Sequence, residues 1–112
     1  GLPFSVGLAV PSQESGFKAD AISYTGCCYG LWQIHYRIWS KARPGLTLEE
    51  LYDPVVNTRI GYDILKQYYE QTGSLSGALE RYYGSTVEEE NVAYSEQVIR
   101  RSQRISQYLQ TS

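Results

Sequence analysis

Residues 14–35 read ESGFKADAISYTGCCYGLWQIH. Two acidic residues, three glycines, two adjacent cysteines and a Trp-Gln pair fall within this short run. Its middle, residues 16–29, is too rich in glycine and polar residues for a helix interior. Apolar-periodic segments flank it at residues 4–14 and 31–39. The run therefore reads as a loop held between two helices, able to present polar groups without losing its shape. Glu14 is expected on the last turn of the first helix, beside that loop.

Working outward, the N-terminal segment places Phe4, Leu8 and Pro11 on one helical face, with Val6 and Val10 beside it. Pro3 suits a first turn. Pro11 removes a backbone donor and crowds Gly7, so a kink or short break is expected before Ser12. On the other side, Leu31, Ile34, Ile38 and Trp39 have helical spacing, and Pro44-Gly45 makes a turn. Thr47 and Glu50 have the spacing of a capping box. Asp53-Pro54 is an N-cap followed by proline at the first helical position. A longer helix follows, with Val56, Ile60, Ile64 (or Leu65) and Tyr68 at helical spacing, and Gly61 inside it implies a close helix crossing. Gly73 ends that helix and Ser74 caps the next, over residues 75–83, with Leu75, Leu79, Tyr82 and Tyr83 as its apolar or ring positions. A last helix over 87–109 opens on three glutamates, which suit the positive end of the helix dipole. Its stripe is Val87, Tyr94, Val98, Ile105 and Leu109, interrupted by Arg101. No strand-like alternation is apparent. The fold class is all-α, five or six helices around one core, in a single domain of 112 residues. A chain of that size buries about two thirds of its unfolded surface.

Composition narrows the function. Net charge is -2 and pI about 5.3, so a nucleic-acid partner is not expected. No apolar run is long enough to span a membrane. Two adjacent cysteines cannot staple distant segments, and with a single histidine they are too few for a closed zinc site, so no metal is expected. Tyrosine outnumbers phenylalanine 11 to 2, which suits half-buried rings at the core margin or a groove of rings and hydroxyls for carbohydrate or peptide.

Among the residues that could do chemistry, Glu14 comes first. A carboxyl that closes a helix beside an apolar wall of Phe17, Leu31 and Trp32 is expected to hold its proton near neutrality and donate it. Asp20 is the other acid of the stretch. A two-carboxylate glycosidase would need it across the scissile bond, but it serves its own loop backbone equally well. His35 has no acidic or serine partner at suggestive spacing, and nothing orients Cys27 or Cys28 towards it as a nucleophile. Gly26 and Gly30 permit a sharp turn, and the Gln33 amide suits a sugar acetamido group. The Tyr82 hydroxyl could orient Glu14 or a substrate oxygen.

The ordered set Glu14-Ser15-Gly16-Phe17, Ala21-Ile22-Ser23, Gly26 and Gly30-Leu31-Trp32-Gln33-Ile34 resembles the soluble lytic transglycosylase catalytic domain, which is related in fold to goose-type lysozyme. Asp53-Pro54 with Asn57 and Gly61 continues the resemblance, as does Ala78-Leu79 with Tyr82-Tyr83-Gly84. It covers residues 4–85. It implies a lysozyme-like helical domain with an active-site groove, taking a peptidoglycan glycan strand and cleaving the β-1,4 bond between N-acetylmuramic acid and N-acetylglucosamine. By matched position, Glu14 would be the single acid and base, and the product would end in 1,6-anhydromuramic acid. Ser23 and Gln33 match positions near the acetamido group and sugar hydroxyls, and the Gly30 and Leu31 backbone forms cleft wall. Tyr82 matches the tyrosine that hydrogen-bonds the glutamate, with Tyr83 following it as a further substrate position. No cofactor is implied.

The sequence departs from the family pattern in places. Cys27-Cys28-Tyr29 is one residue longer than usual, Trp32 stands where methionine is common, and Tyr83 stands where asparagine commonly follows the groove tyrosine. Pro11 falls where the family helix is usually unbroken. The alternatives are a hydrolytic muramidase of the same fold and an inactive peptidoglycan-binding module. An extracytoplasmic working site is implied, in periplasm, cell wall or phage particle, for a monomer that is either a mature product or a domain excised from something longer. Its targeting segment, and family sequence upstream of Gly1, are expected to lie outside this chain.

Overall fold

A computed structural model describes residues 2–111. Its elements in chain order are α1 (Phe4–Ser15), β1 (Cys28–Tyr29), β2 (Ile34–His35), α2 (Tyr36–Ala42), a 3-10 turn (Glu49–Tyr52), α3 (Pro54–Thr72), α4 (Leu75–Tyr83) and α5 (Glu88–Thr111). The all-α class holds, with five α-helices among the described residues. No helix among them is long and apolar enough to cross a membrane. The chain forms two compact units, one built from the segment up to Val10 and from Tyr62 onward, the other from Pro11 to Gly61.

Local chemistry fixes most helix ends. Thr47 and Glu50 form the expected reciprocal box: the Glu50 N–H donates to Thr47 Oγ1 (3.2 Å) and the Thr47 N–H to Glu50 Oε1 (2.9 Å). Asp53 Oδ1 accepts from the N–H groups of Val55 (2.8 Å) and Val56 (3.3 Å), opening α3 at Pro54. Ser74 Oγ accepts from the Gly77 N–H (3.0 Å) and starts α4. Each cap answers donors that the first helical turn leaves unpaired.

Four expectations need correction. First, α1 runs through Pro11 without a break. Ser5, Val6, Ala9, Val10 and Pro11 are buried along it, while Phe4 is 73% exposed. Second, residues 31–33 are not helical. Residues 30–33 turn a short hairpin in which Cys28 pairs with His35 and Tyr29 with Ile34, and Ile22 bridges to Tyr29 on the other side. The helix begins only at Tyr36, with His35 as its N-cap. Third, this ribbon means that strands do exist. Two-residue strands are too short to show alternation. Fourth, Gly61 answers an indole rather than another helix. A Cβ there would collide with the ring of Trp32, which is fully buried.

In the unit from Pro11 to Gly61, Trp32, Ile34, Leu51 and Ile60 are buried. Asn57 is fully buried among the apolar positions of α3. In the other unit the buried residues include Val6, Leu65, Leu79, Tyr94 and Val98, and α4 packs along α5. Ser5 and Ser102 hydrogen-bond inside it at 2.8 Å. Val87 and Leu109 of the expected α5 stripe are 44% and 46% exposed, and Asn91, Ser95 and Ser102 are buried along that helix instead. Partial burial, then a hydrogen bond and the like charge of Glu88, raise the Glu80 carboxyl above its ordinary value. The folded state thus holds that proton more tightly than the unfolded chain, and the contribution fades as pH rises through the raised value.

The Gly61–Trp32 fit carries a prediction. Gly61→Ala gains helix propensity but drives a methyl into a packed ring, and overpacking of this kind costs about 1–3 kcal/mol. Urea unfolding is expected to show a lower midpoint at unchanged slope. A stabilised variant would mean that the indole moves aside freely.

Candidate functional site

The residues singled out by sequence fall in both units, and each unit is described on its own. In the unit from Pro11 to Gly61, Glu14 is the penultimate residue of α1 and is half-buried. The helix closes through Gly16, whose N–H donates to Ser12 O (3.0 Å), and Phe17, whose N–H donates to Pro11 O (3.3 Å). Gly16 and Phe17 both have positive φ, 62° and 64°. That conformation is uncommon for a bulky residue, and it turns Phe17 outward, 55% exposed. Phe17 thus contributes less apolar wall than expected.

Ser15 ties this helix end to the hairpin. Its hydroxyl proton is shared between Pro11 O (3.0 Å) and Leu31 O (2.9 Å). The next N–H along, that of Trp32, donates to Asn57 Oδ1 at 2.8 Å. Asn57 Nδ2 donates to Tyr29 O (2.9 Å) and Leu51 O (2.8 Å). One buried amide therefore satisfies three backbone groups around the hairpin loop. Gly30, with φ 78°, lies against that amide: a Cβ would collide with Asn57 Nδ2 and Leu51 O.

Ser23 and Gln33 are held by the same ribbon. Ser23 Oγ accepts from the N–H groups of Cys27 and Cys28, both at 3.2 Å. With its acceptor positions engaged, its proton faces Thr25 Oγ1 (3.4 Å) and Cys27 Sγ (3.5 Å), long contacts that a closer acceptor would displace. Gln33 Nε2 donates to Gly30 O (2.9 Å) and Ala21 O (3.3 Å). Two carbonyl acceptors fix the orientation of the amide and leave Oε1 as the acceptor it offers. Gln33 has φ 51°, a sparsely populated conformation of the kind that clusters at functional sites. The ribbon thus holds one hydroxyl donor and one amide acceptor, the complement of a group carrying a carbonyl and an N–H.

Cys27 and Cys28 are joined to each other in a disulfide. Both are consumed, so neither is a thiol nucleophile in this state. Adjacency in sequence gave no sign that they would bond. His35 caps α2, accepting from the Ile38 N–H at 3.4 Å. Asp20 is exposed in the loop. Among the described residues no three His, Cys, Asp or Glu side chains gather as a metal site.

Tyr82 and Tyr83 belong to the other unit, at the C-terminal end of α4. Tyr82 is half-buried, and Tyr83 stacks on Tyr94 with ring centroids 4.7 Å apart. Sequence reasoning missed Ser15 and Asn57 as parts of the site. The signal for Asn57 was available: it falls on the α3 stripe shared by Ile60, Gly61 and Ile64, where a polar side chain must find partners. Ser15 gave no such signal.

A family model described as Transglycosylase SLT domain matches residues 1–98 of the chain. No curated protein and no solved structure matches it.

Proposed function

We propose that this chain, which belongs to the transglycosylase SLT domain family, is a peptidoglycan lytic transglycosylase with Glu14 as its single acid and base. The reading takes residues 1–112 as one monomeric catalytic domain, working outside the cytoplasm on the glycan strand, without a cofactor. The observation that carries it is the ribbon at the end of the helix bearing Glu14. There the Ser23 hydroxyl, its proton held only by long contacts to Thr25 Oγ1 and Cys27 Sγ, can turn to a closer acceptor, and Gln33 Oε1 offers an acceptor, which suits the carbonyl and N–H of an acetamido group.

The chemistry then runs through one carboxyl. Protonated Glu14 gives its proton to the glycosidic oxygen as the bond to muramic C1 breaks. The muramic acetamido oxygen closes on C1 and spreads the developing positive charge. Ser23 and Gln33 hold that acetamido group in the geometry this attack requires, which is where positioning lowers a barrier most. The Glu14 carboxylate next removes the proton from the C6 hydroxyl, and O6 displaces the acetamido oxygen from C1. Glu14 is protonated again, and the glycan ends in a 1,6-anhydro ring. No second carboxylate is needed, so an exposed Asp20 is no obstacle. Gly30 and Leu31 supply cleft backbone.

Mass spectrometry of fragments released from purified sacculi tests this. The expected fragments are lighter by one water than those with a reducing end. Reducing ends alone would make the chain a muramidase, and no release at all would make it a binding module.

A further inference from the structure

Ser15 and Asn57 grip opposite sides of the same peptide bond. The Leu31 carbonyl and the Trp32 N–H belong to one planar unit. The carbonyl accepts from Ser15 Oγ at 2.9 Å and the N–H donates to Asn57 Oδ1 at 2.8 Å. Asn57 cannot shift, because it is fully buried and also bound to Tyr29 O and Leu51 O. Gly30, one residue earlier, leaves no room for a side chain between the loop and Asn57. The 31–32 peptide is therefore a fixed reference, and Ser15 fastens the end of α1 to it. The neighbour of Ser15 in that helix turn is Glu14.

We infer that Ser15 is a positioning residue: through the clamped 31–32 peptide it sets the register of Glu14 against the loop that carries Gly30, Leu31 and Gln33. The inference rests on the glycan-cleaving reading above. Without the hydroxyl, α1 keeps its helical hydrogen bonds, and what it loses is the tie between helix end and loop. Misplacement of a reacting group by about 1 Å is enough to cost about 10²-fold in rate. The loss should fall on kcat, since Ser15 is assigned no contact with the glycan.

The test compares the parent chain with Ser15→Ala and Ser15→Thr, using sacculi as substrate and backbone amide exchange as an independent readout. For Ser15→Ala the expected result is a kcat lower by about 10–100-fold, KM within about twofold, and a Trp32 amide that exchanges faster. Ser15→Thr, which keeps the hydroxyl that donates to the Leu31 carbonyl, is expected to recover most of the rate. A merely structural role would lower activity only in step with the unfolded fraction, and assays well below the melting temperature would then show parental kcat. Parental kcat in Ser15→Ala, or an unchanged Trp32 amide, would overturn the clamp. A parent chain that releases no glycan while the Trp32 amide still responds would instead overturn the function on which the inference rests.

Discussion

Replacing Glu14 with glutamine is expected to lower glycan release by at least about 10²–10⁴-fold, the usual worth of a general acid. Glutamine keeps the shape and loses the proton that the leaving oxygen needs. The loss should be larger than that of an enzyme with two carboxylates, because the proposed mechanism asks the same group to take the proton from the C6 hydroxyl as well. Binding should survive, since Ser23 and Gln33 are ordered by backbone partners: the Cys27 and Cys28 N–H groups for one, the Ala21 and Gly30 carbonyls for the other. Chromatography of released muropeptides reads the first effect and calorimetry with a glycan fragment reads the second. A variant that cleaves at the parental rate would remove Glu14 from the reaction.

Asn57→Ala is expected to cost about 3–5 kcal/mol of folding stability. Its side chain is 0% exposed and meets three backbone groups. Truncation leaves a buried N–H and two carbonyls short of a partner, each at about 1–3 kcal/mol, with some recovery by entering water. A domain of this size has about 5–15 kcal/mol in total, so the variant is expected to be near unfolding at ambient temperature. Asn57→Asp is no remedy. It still accepts from Trp32 but turns an anion towards the Tyr29 and Leu51 carbonyls. Urea unfolding measures both variants, and a loss below about 1 kcal/mol, the net worth of one ordinary hydrogen bond, would show that the amide is not the hub described here.

How much of this was legible in the sequence depends on range. The caps at Thr47, Asp53 and Ser74 act within three residues, so their residue types name them, and the structure has the bonds. The long α3, α4 and α5 followed from apolar spacing. The hairpin did not. Leu31, Ile34 and Ile38 repeat as a helix would, but positive φ at Gly30 and Gln33 turns the chain back at that point. Whether Gln33 would take that conformation is decided by its two carbonyl partners, and these are set by the fold. Spacing put Phe4 on one face with Leu8 and Pro11, yet Phe4 is exposed, while Pro11 and the neighbouring Val6 and Val10 are buried. Gly61 signalled a close approach correctly, yet a glycine cannot say what approaches it. In the site, the resemblance offered Glu14, Ser23 and Gln33 as candidates. It included Ser15 and Asn57 but gave them no role, since the groups they bind are backbone atoms 16 and 25 residues away.

The central claim is that the sugar's own hydroxyl, and not water, ends the reaction at C1. Digestion of sacculi in water enriched in heavy oxygen tests it most directly. The account predicts fragments whose muramic ends carry no heavy oxygen, because the entering atom is O6 of the same residue. One heavy oxygen at each new muramic end would contradict it and make water the nucleophile.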